Sequence, residues 1–313
     1  MKRLVYNLLE LTAAERSSFE AAAPEFEHAY GSADAPDAAL LARAEVILGT
    51  PAPAAIAECK NLGLLQSHWS GTNEYLDVLP VGALLCGCAG AYNEPVSEHV
   101  CALLLAVCHR LGQCRDDQTA RVWGTHAQLK GLHNANVLIL GAGQIAGTLG
   151  PKLKGLGAGT VTGVRRNAAA DHPGLDGLRP VEDVDALLGQ ADVVIMILPG
   201  SPATKGFMDE RRLRLMKPDA VLVNVGRGNS LDLDALERVL AEGRLWGAAV
   251  DVTEPEPLNR SHPLWQRENC LITPHIAGGF RLPGTREAAH AICLENLRRY
   301  ACGQRPINIA KEG

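Results

Sequence analysis

Three polar residues late in the chain are of types that transfer protons and hold anions. Arg227 ends the run VLVNVGR, Glu256 lies in the loop after AAVDV, and His275 follows LITP. If these runs are parallel strands, their carboxyl ends meet at the sheet edge where α/β proteins bind ligands. Reduction of a 2-oxo acid needs a hydride, a proton for the carbonyl oxygen and a cation for the carboxylate, and histidine and arginine suit the last two tasks. A carboxylate beside the histidine would orient its ring.

Each of these residues also has a structural interpretation. A histidine after a proline can simply cap a loop, and Glu256 can be solvated within its proline-rich loop. Taken singly, the residues favour these interpretations. Their order and their positions at strand ends favour a joint catalytic role instead.

The segment NVLILGAGQIAG places a strand directly before a G-x-G-x-x-A turn. Gly141 would permit the tight turn, Gly143 would let a pyrophosphate approach the backbone, and the helix N-terminus would attract that anion. Gln144 and Ile145 complete the predicted cofactor contacts of the turn, and Ala146 takes the third glycine position. The alternative is an ordinary turn between a strand and a helix.

The next strand, TVTGV, ends in Arg165 and Arg166. A dinucleotide fold that selects NAD places a carboxylate there, against the ribose hydroxyls, whereas a guanidinium attracts a 2′-phosphate. The sequence therefore predicts a preference for NADP(H), with NAD(H) still possible. The alternative is that both arginines are solvated surface charges.

Short apolar runs alternate with helical stretches along the whole chain, which indicates an α/β protein with parallel sheets. The predicted strands, in order, are RLVYNLL, AEVILGT, LGLLQSHWSG, GALLCGCAG, NVLILGAG, GTVTGVRR, ADVVIMILP, AVLVNVGRG, WGAAVDV and CLITPHIAG. A long helix is predicted from Pro95 to Leu111, and an amphipathic helix ending at Gly303. Pro151, two turns into the helix after the glycine turn, predicts a kink or a short helix.

Composition excludes several classes of function. The 313 residues are 47% hydrophobic and 21% charged with a net charge of −5, and they contain no Lys/Arg run suited to nucleic acid. The N-terminus predicts a first strand rather than a signal peptide or a membrane span. Nine cysteines without CxxC spacing predict free thiols in a reducing cytoplasm and no metal site.

These motifs together resemble the D-isomer-specific 2-hydroxyacid dehydrogenase family, which includes glyoxylate and hydroxypyruvate reductases. The similar segments, in order, are SGTNEYLD, PVSEHVCALLLAVCHR, GAGQIAG, LPGSPATKGFMDERRLRLMKPDAVLVNVGRG, AAVDVTEPEPL, PLW, ITPHIAG and ENLRRYACGQRPIN. They cover nearly the whole chain. So many motifs in one order are more specific than any single motif.

The resemblance implies roles for individual residues. Arg227 would bind the substrate carboxylate and carbonyl, and Glu256 would pair with His275, the acid/base. Backbone N–H groups around Ser70 and Gly71 would receive the carboxylate. The implied cofactor contacts are Asp251 at the nicotinamide end and, along the cleft, Leu198, Pro199, Val225 and Gly226.

The resemblance also implies two doubly wound parallel-sheet domains. A flavodoxin-like substrate domain, residues 1–98 and 283–313, would be interrupted by a Rossmann dinucleotide-binding domain, residues 99–282. Closure would hinge near residues 94–99 and 280–286. The helix Pro95–Leu111 and the following segment QCRDDQTARVWGTHAQLKG resemble the family's two-fold contact and imply a homodimer.

Several points remain open at this stage. His68 and Trp69 lie near the expected carboxylate loop, where they could contact substrate or pack beneath it, and Trp265 could line the pocket or belong to the core.

The expected reaction is reduction of a small 2-oxo acid of the glyoxylate or hydroxypyruvate type to the D-2-hydroxy acid. The alternatives are a phosphoglycerate dehydrogenase and a dinucleotide-sensing binding protein of the corepressor type, whereas Glu256 in place of glutamine disfavours a formate dehydrogenase.

Overall fold

Strands and helices alternate along the chain in a computed structural model that describes residues 3–124, 128–168 and 171–313. Two compact units are present, one formed by Met1–Tyr92 with Gly279–Gly313 and the other by Asn93–Gly278. The domain limits expected after residues 98 and 282 stay predictions.

The strands in chain order are β1 (Leu4–Asn7), β2 (Glu27–Tyr30), β3 (Val46–Leu48), β4 (Leu64–Gln66), β5 (Leu84–Cys86), β6 (Asn136–Leu140), β7 (Thr160–Val164), β8 (Gly177–Arg179), β9 (Val193–Met196), β10 (Val221–Asn224), β11 (Gly247–Val250), β12 (Cys270–Ile272) and β13 (Ile309–Glu312). The helices are α1 (Ala13–Ala22), α2 (Ala38–Arg43), α3 (Pro53–Ala57), α4 (Asn93–Cys108), α5 (Leu111–Ala120), α6 (Gln144–Gly155), α7 (Val184–Leu188), α8 (Glu210–Leu215), α9 (Leu233–Ala241) and α10 (Thr285–Ala301).

The first unit is built on one sheet in the order β13-β5-β4-β3-β1-β2. Strands β1 to β5 are parallel, and β13 adds to β5 antiparallel. The order β2-β1-β3-β4-β5 is the flavodoxin-like one. Buried aliphatic side chains, including Ile47, Leu65 and Leu85, form its core.

The second unit has an all-parallel sheet in the order β12-β11-β10-β9-β6-β7-β8. The order reverses between β6 and β9, which is the switch point where doubly wound sheets bind dinucleotides. Strands β9, β10 and β11 are buried along their full length, as expected of strands covered by helices on both faces. The predicted class of two doubly wound α/β folds is confirmed.

The predicted end of one helix was wrong, and the short length that was one of two expectations for a second helix is not observed. The helix predicted to reach Leu111 ends at Cys108, and Arg110 adopts the left-handed conformation at φ 53° before α5 begins. Helix α6 contains Pro151 and runs twelve residues to Gly155, so it is not short, and the kink that was the other expectation stays a prediction. Leu149 and Leu153, on either side of the proline, are buried.

The nine cysteines, all within the described ranges, are free thiols, and five of them are buried: Cys59, Cys86, Cys88, Cys108 and Cys293. Among the described residues, no helix combines the length and apolar character needed to cross a membrane.

Candidate active site

The glycine turn after β6 has the geometry that a dinucleotide requires. Gly141 adopts φ 100°, and a Cβ there would lie 2.5 Å from the carbonyl oxygen of Ile197, so this position accepts only glycine. Gly143 caps the N-terminus of α6, and a Cβ on it would meet no protein atom within 4 Å. Gln144 is exposed beside it, whereas Ala146 is buried in the helix packing. The turn therefore presents an open helix N-terminus that fits a pyrophosphate.

Arg165 and Arg166 directly follow β7, the strand next to the glycine turn in the sheet. Arg165 is half-buried and donates its backbone N–H to Arg179, while Arg166 is exposed. This is the edge at which the fold places the group that meets the adenosine ribose.

Two further strand ends border the same switch point. Leu198 and Pro199 follow β9, and Val225 and Gly226 follow β10. A Cβ on Gly226 would lie 2.7 Å from the backbone N and O of Leu198, so the two loops touch. The loops lie at the carboxyl ends of adjacent strands, where the cofactor contacts were predicted.

Asn224 shapes the loop that carries Arg227. Its buried side chain accepts the N–H of Gly226 at 3.1 Å and donates to the carbonyl oxygen of Arg227 at 3.3 Å, and Ser230 Oγ donates to the same carbonyl at 2.7 Å. Burial lowers the pKa of Arg227, and the charge of Glu256 partly counteracts this effect. The guanidinium is thus held with little solvent around it, which strengthens its attraction for an anion.

A hydrogen bond joins Glu256 and His275, which lie in the loops that follow β11 and β12. The distance from His275 Nδ1 to Glu256 Oε2 is 2.8 Å, and Glu256 Oε1 accepts the backbone N–H of Thr253 at 3.0 Å. The His275 side chain is half exposed. Because Nδ1 is engaged by the carboxylate, Nε2 is the ring nitrogen that can exchange a proton with a ligand.

Asp251 lies beneath this pair with its side chain fully buried. Burial by itself raises the pKa of Asp251, but hydrogen bonds from His99, Thr273 and the N–H groups of Ile276 and Ala277 outweigh it and bring the pKa to about 2. The carboxylate is therefore ionised and held by protein donors. Its contact with a nicotinamide stays a prediction.

Ser70 and Gly71, the predicted carboxylate loop, belong to the first unit, in which Ser70 Oγ donates to the carbonyl oxygen of Cys88 at 3.0 Å. Beside this loop the ring of Trp69 stacks on Phe280 at 5.2 Å between centroids. Burial lowers the pKa of His68 to about 4, so this ring is neutral at neutral pH. Both residues thus pack with neighbouring rings next to the predicted carboxylate loop.

Trp265 lies in the second unit within a short 3₁₀ turn, Pro263–Gln266, and its indole N–H donates to the carbonyl oxygen of Asn259 at 3.0 Å. About half of its side chain is exposed, at 49%. It is therefore not a core tryptophan.

Reasoning from sequence missed the residues that hold this site together. Asn224 ends a strand of otherwise apolar residues, and a polar side chain at that position is a signal that could have been used. Thr273 lies within the segment ITPHIAG, but no role was predicted for it, and His99 lies on α4, far away in sequence. For His99 there was no local signal, because its partner is more than a hundred residues away.

The chain is similar in sequence to known proteins over most of its length. A family model described as the NAD-binding domain of D-isomer specific 2-hydroxyacid dehydrogenases matches residues 101–277. The glyoxylate reductase of Aeropyrum pernix is 33% identical over 242 residues, covering 73% of this chain and 70% of the relative. The glyoxylate reductase/hydroxypyruvate reductase of Homo sapiens is 30% identical over 209 residues, covering 66% of this chain and 63% of the relative.

A solved structure agrees over the full length. The crystal structure of a D-isomer specific 2-hydroxyacid dehydrogenase family protein from Aeromonas salmonicida has a TM-score of 0.85 and 28% identity, with 100% of both chains covered. The matched region contains the glycine turn, Arg227, Glu256 and His275. The chain is thus an oxidoreductase that uses a nicotinamide dinucleotide, and it belongs to the D-isomer specific 2-hydroxyacid dehydrogenase family.

Proposed function

We propose that this dehydrogenase reduces a small 2-oxo acid of the glyoxylate or hydroxypyruvate type to the D-2-hydroxy acid, with His275 as the acid/base. The observation that carries the proposal is the 2.8 Å contact between His275 Nδ1 and Glu256, which orients the ring and leaves Nε2 for the substrate oxygen. The names of the Aeropyrum pernix and Homo sapiens reductases, which are 33% and 30% identical to this chain, support the substrate class.

Each residue of the trio has a task in this reaction. The bound dinucleotide supplies the hydride. His275 in its charged form donates a proton from Nε2 to the carbonyl oxygen as that oxygen gains charge, and Glu256 stabilises the imidazolium before transfer. Arg227 is largely buried and interacts electrostatically with Glu256. Its guanidinium holds the carboxylate of the substrate and polarises the substrate carbonyl. Ser70 and Gly71 belong to the first unit, which we propose is the substrate domain, and their backbone N–H groups are the proposed carboxylate loop of that unit.

NADP(H) is the preferred cofactor in this proposal, and NAD(H) remains possible. Arg165 and Arg166 stand at the end of β7, where selection for NAD calls for a carboxylate. A guanidinium there would bind a 2′-phosphate through charge-assisted hydrogen bonds.

The active form is proposed to be a homodimer formed through the helix predicted over Pro95–Leu111 and the following segment, residues 113–131, of which residues 125–127 lie outside the described residues. Within the described part, α5 buries none of its side chains. Trp123 is 98% exposed, Val122 57%, Leu129 55% and Leu111 53%. Such a concentration of exposed large apolar side chains is typical of a protein interface.

Turnover with a panel of 2-oxo acids, using NADPH and NADH in parallel, tests the proposed reaction. Glyoxylate or hydroxypyruvate should be reduced, and the product should be the D isomer where it is chiral. His275→Gln should lose roughly 10²–10⁴-fold in kcat, with little change in dinucleotide affinity. Retention of normal turnover by His275→Gln would rule out the acid/base assignment.

A further inference from the structure

The backbone around His275 is held by the buried carboxylate of Asp251. Asp251 Oδ1 accepts the hydroxyl of Thr273 at 2.5 Å and the N–H of Ile276 at 2.9 Å, while Oδ2 accepts the N–H of Ala277 at 2.9 Å. The main-chain oxygen of Asp251 accepts the N–H of His275 itself at 2.8 Å. One residue thus fixes the loop on both sides of the catalytic ring.

This loop needs such support because of its conformation. His275 has φ 50°, in the left-handed region that residues with side chains rarely adopt. A backbone of this kind persists only where surrounding contacts determine it. Loosening those contacts would therefore let the imidazole move away from its productive position.

His99 adds a donor to the same network from helix α4. Its Nε2 atom lies 3.4 Å from Asp251 Oδ1 and 3.3 Å from Thr273 Oγ1, and its side chain is 19% exposed. The threonine hydroxyl has a single hydrogen, which it donates to Asp251, so toward His99 it can only accept. His99 must therefore donate from Nε2, and this N–H is shared between the two oxygens.

We propose that His99 is a positioning residue for the reaction, acting through Asp251 and Thr273 to hold the loop that carries His275. The inference rests on the proposed role of His275 as the acid/base. His99 anchors the Asp251–Thr273 pair to a long helix, so that the catalytic loop is tied to α4 as well as to its own strands. Misplacement of a catalytic group by an ångström lowers the rate far more than it lowers binding.

The test compares two substitutions of His99 with a matched control. His99→Leu removes the donor at similar volume, and His99→Gln returns an N–H at the position of Nε2. His133→Leu, the control, alters another histidine of the same unit, one that is exposed in the loop before β6. The measurements are kcat and KM for the 2-oxo acid and for the dinucleotide.

We expect His99→Leu to lower kcat by about tenfold or more, while KM for the 2-oxo acid changes by less than about twofold. His99→Gln should recover most of kcat, and His133→Leu should match the unaltered enzyme. A loss of general stability alone would not give this split between kcat and KM, nor a rescue by glutamine. Unchanged kcat in His99→Leu, or no recovery in His99→Gln, would overturn the proposal.

A second pair covers the case in which His99→Leu does not fold. Thr273→Val removes the hydroxyl that links His99 to Asp251, and Thr273→Ser keeps it. A valine enzyme with normal kcat overturns the proposal, whereas reduced kcat with rescue by serine supports it. His275→Gln, assayed alongside, separates this inference from the proposed function, because an active His275→Gln enzyme contradicts the function itself, whatever His99 does.

Discussion

One carboxylate oxygen of Glu256 contacts Nδ1 of His275 at 2.8 Å, and the other accepts the backbone N–H of Thr253 at 3.0 Å. The contact with the Thr253 backbone holds the Glu256 carboxylate in place. Through its other oxygen, this carboxylate sets both the tautomer and the orientation of the His275 ring. This arrangement makes Glu256 the most direct means of altering proton transfer without removing the ring.

Glu256→Gln should reduce kcat at neutral pH by about tenfold or more. The physical reason is that a neutral amide holds the imidazole ring less firmly than a carboxylate does, so Nε2 is less well placed for proton transfer. Measurement of kcat at neutral pH in both enzymes checks this. Equal kcat values would show that Glu256 does not contribute to proton transfer.

Alanine substitution of the two glycines of the cofactor turn should affect different properties, stability for Gly141 and dinucleotide binding for Gly143. Gly141→Ala should lower the free energy of unfolding by about 1–3 kcal/mol, because φ is 100° and the new Cβ would meet the Ile197 oxygen at 2.5 Å. Gly143→Ala should leave stability unchanged, since its Cβ has open space, but weaken dinucleotide binding about tenfold, or about 1.4 kcal/mol. Urea unfolding and dinucleotide titration check the pair. Equal dinucleotide affinity in Gly143→Ala and the parent would contradict the pyrophosphate position.

Arg165→Asp should reduce kcat/KM for NADPH roughly ten- to hundredfold, or about 1.5–3 kcal/mol, and should affect NADH far less. A carboxylate repels a 2′-phosphate but can accept from ribose hydroxyls. Lys60→Asp, the same change of charge at an exposed position of the other unit, is the control and should leave the cofactor ratio unchanged. A parent enzyme that prefers NADH would refute the NADP(H) proposal.

Trp123→Glu should shift the protein from dimer to monomer, because a buried tryptophan in an interface typically contributes about 2 kcal/mol or more. Val81→Glu is the matched control, since Val81 is 96% exposed and lies outside the proposed interface. Sedimentation at matched concentrations gives the masses. If the parent protein sediments as a monomer, the proposed assembly is wrong.

The pH dependence of stability should reflect Asp251. Its pKa in the folded state is about 2, below the ordinary value of 3.8, so its ionised form stabilises the fold above about pH 4 and this contribution is lost as pH falls toward 2. The linked free energy is about 2 kcal/mol. Asp251→Asn should therefore show a smaller decrease in unfolding free energy between pH 5 and pH 3 than the parent. If the unfolding free energies of the two proteins decrease equally between pH 5 and pH 3, the pKa of Asp251 is not lowered by folding.

Apart from the edge strand β12, which was predicted although none of its residues is buried, the strands that sequence reasoning found and those it missed differ in burial. β9, β10 and β11 are buried throughout and appear as unbroken apolar runs. β2, β8 and β13 are sheet edges without a fully buried residue, and their polar composition carries no comparable signal. An edge strand is held mainly by backbone hydrogen bonds to one neighbouring strand. Because nearly every residue type can make these bonds, they leave no pattern in the sequence from which the strand could be predicted.

By itself the sequence determined the α/β class, the glycine turn and the types of residue that follow each buried strand, because burial and backbone conformation leave local patterns. Only the tertiary structure decided that Glu256 reaches His275, that Asn224 holds the Arg227 loop and that His99 donates toward Asp251. These contacts join segments that are distant in sequence or depend on the direction of a single side chain. They form only once the folded sheets have brought these groups within hydrogen-bond distance of each other.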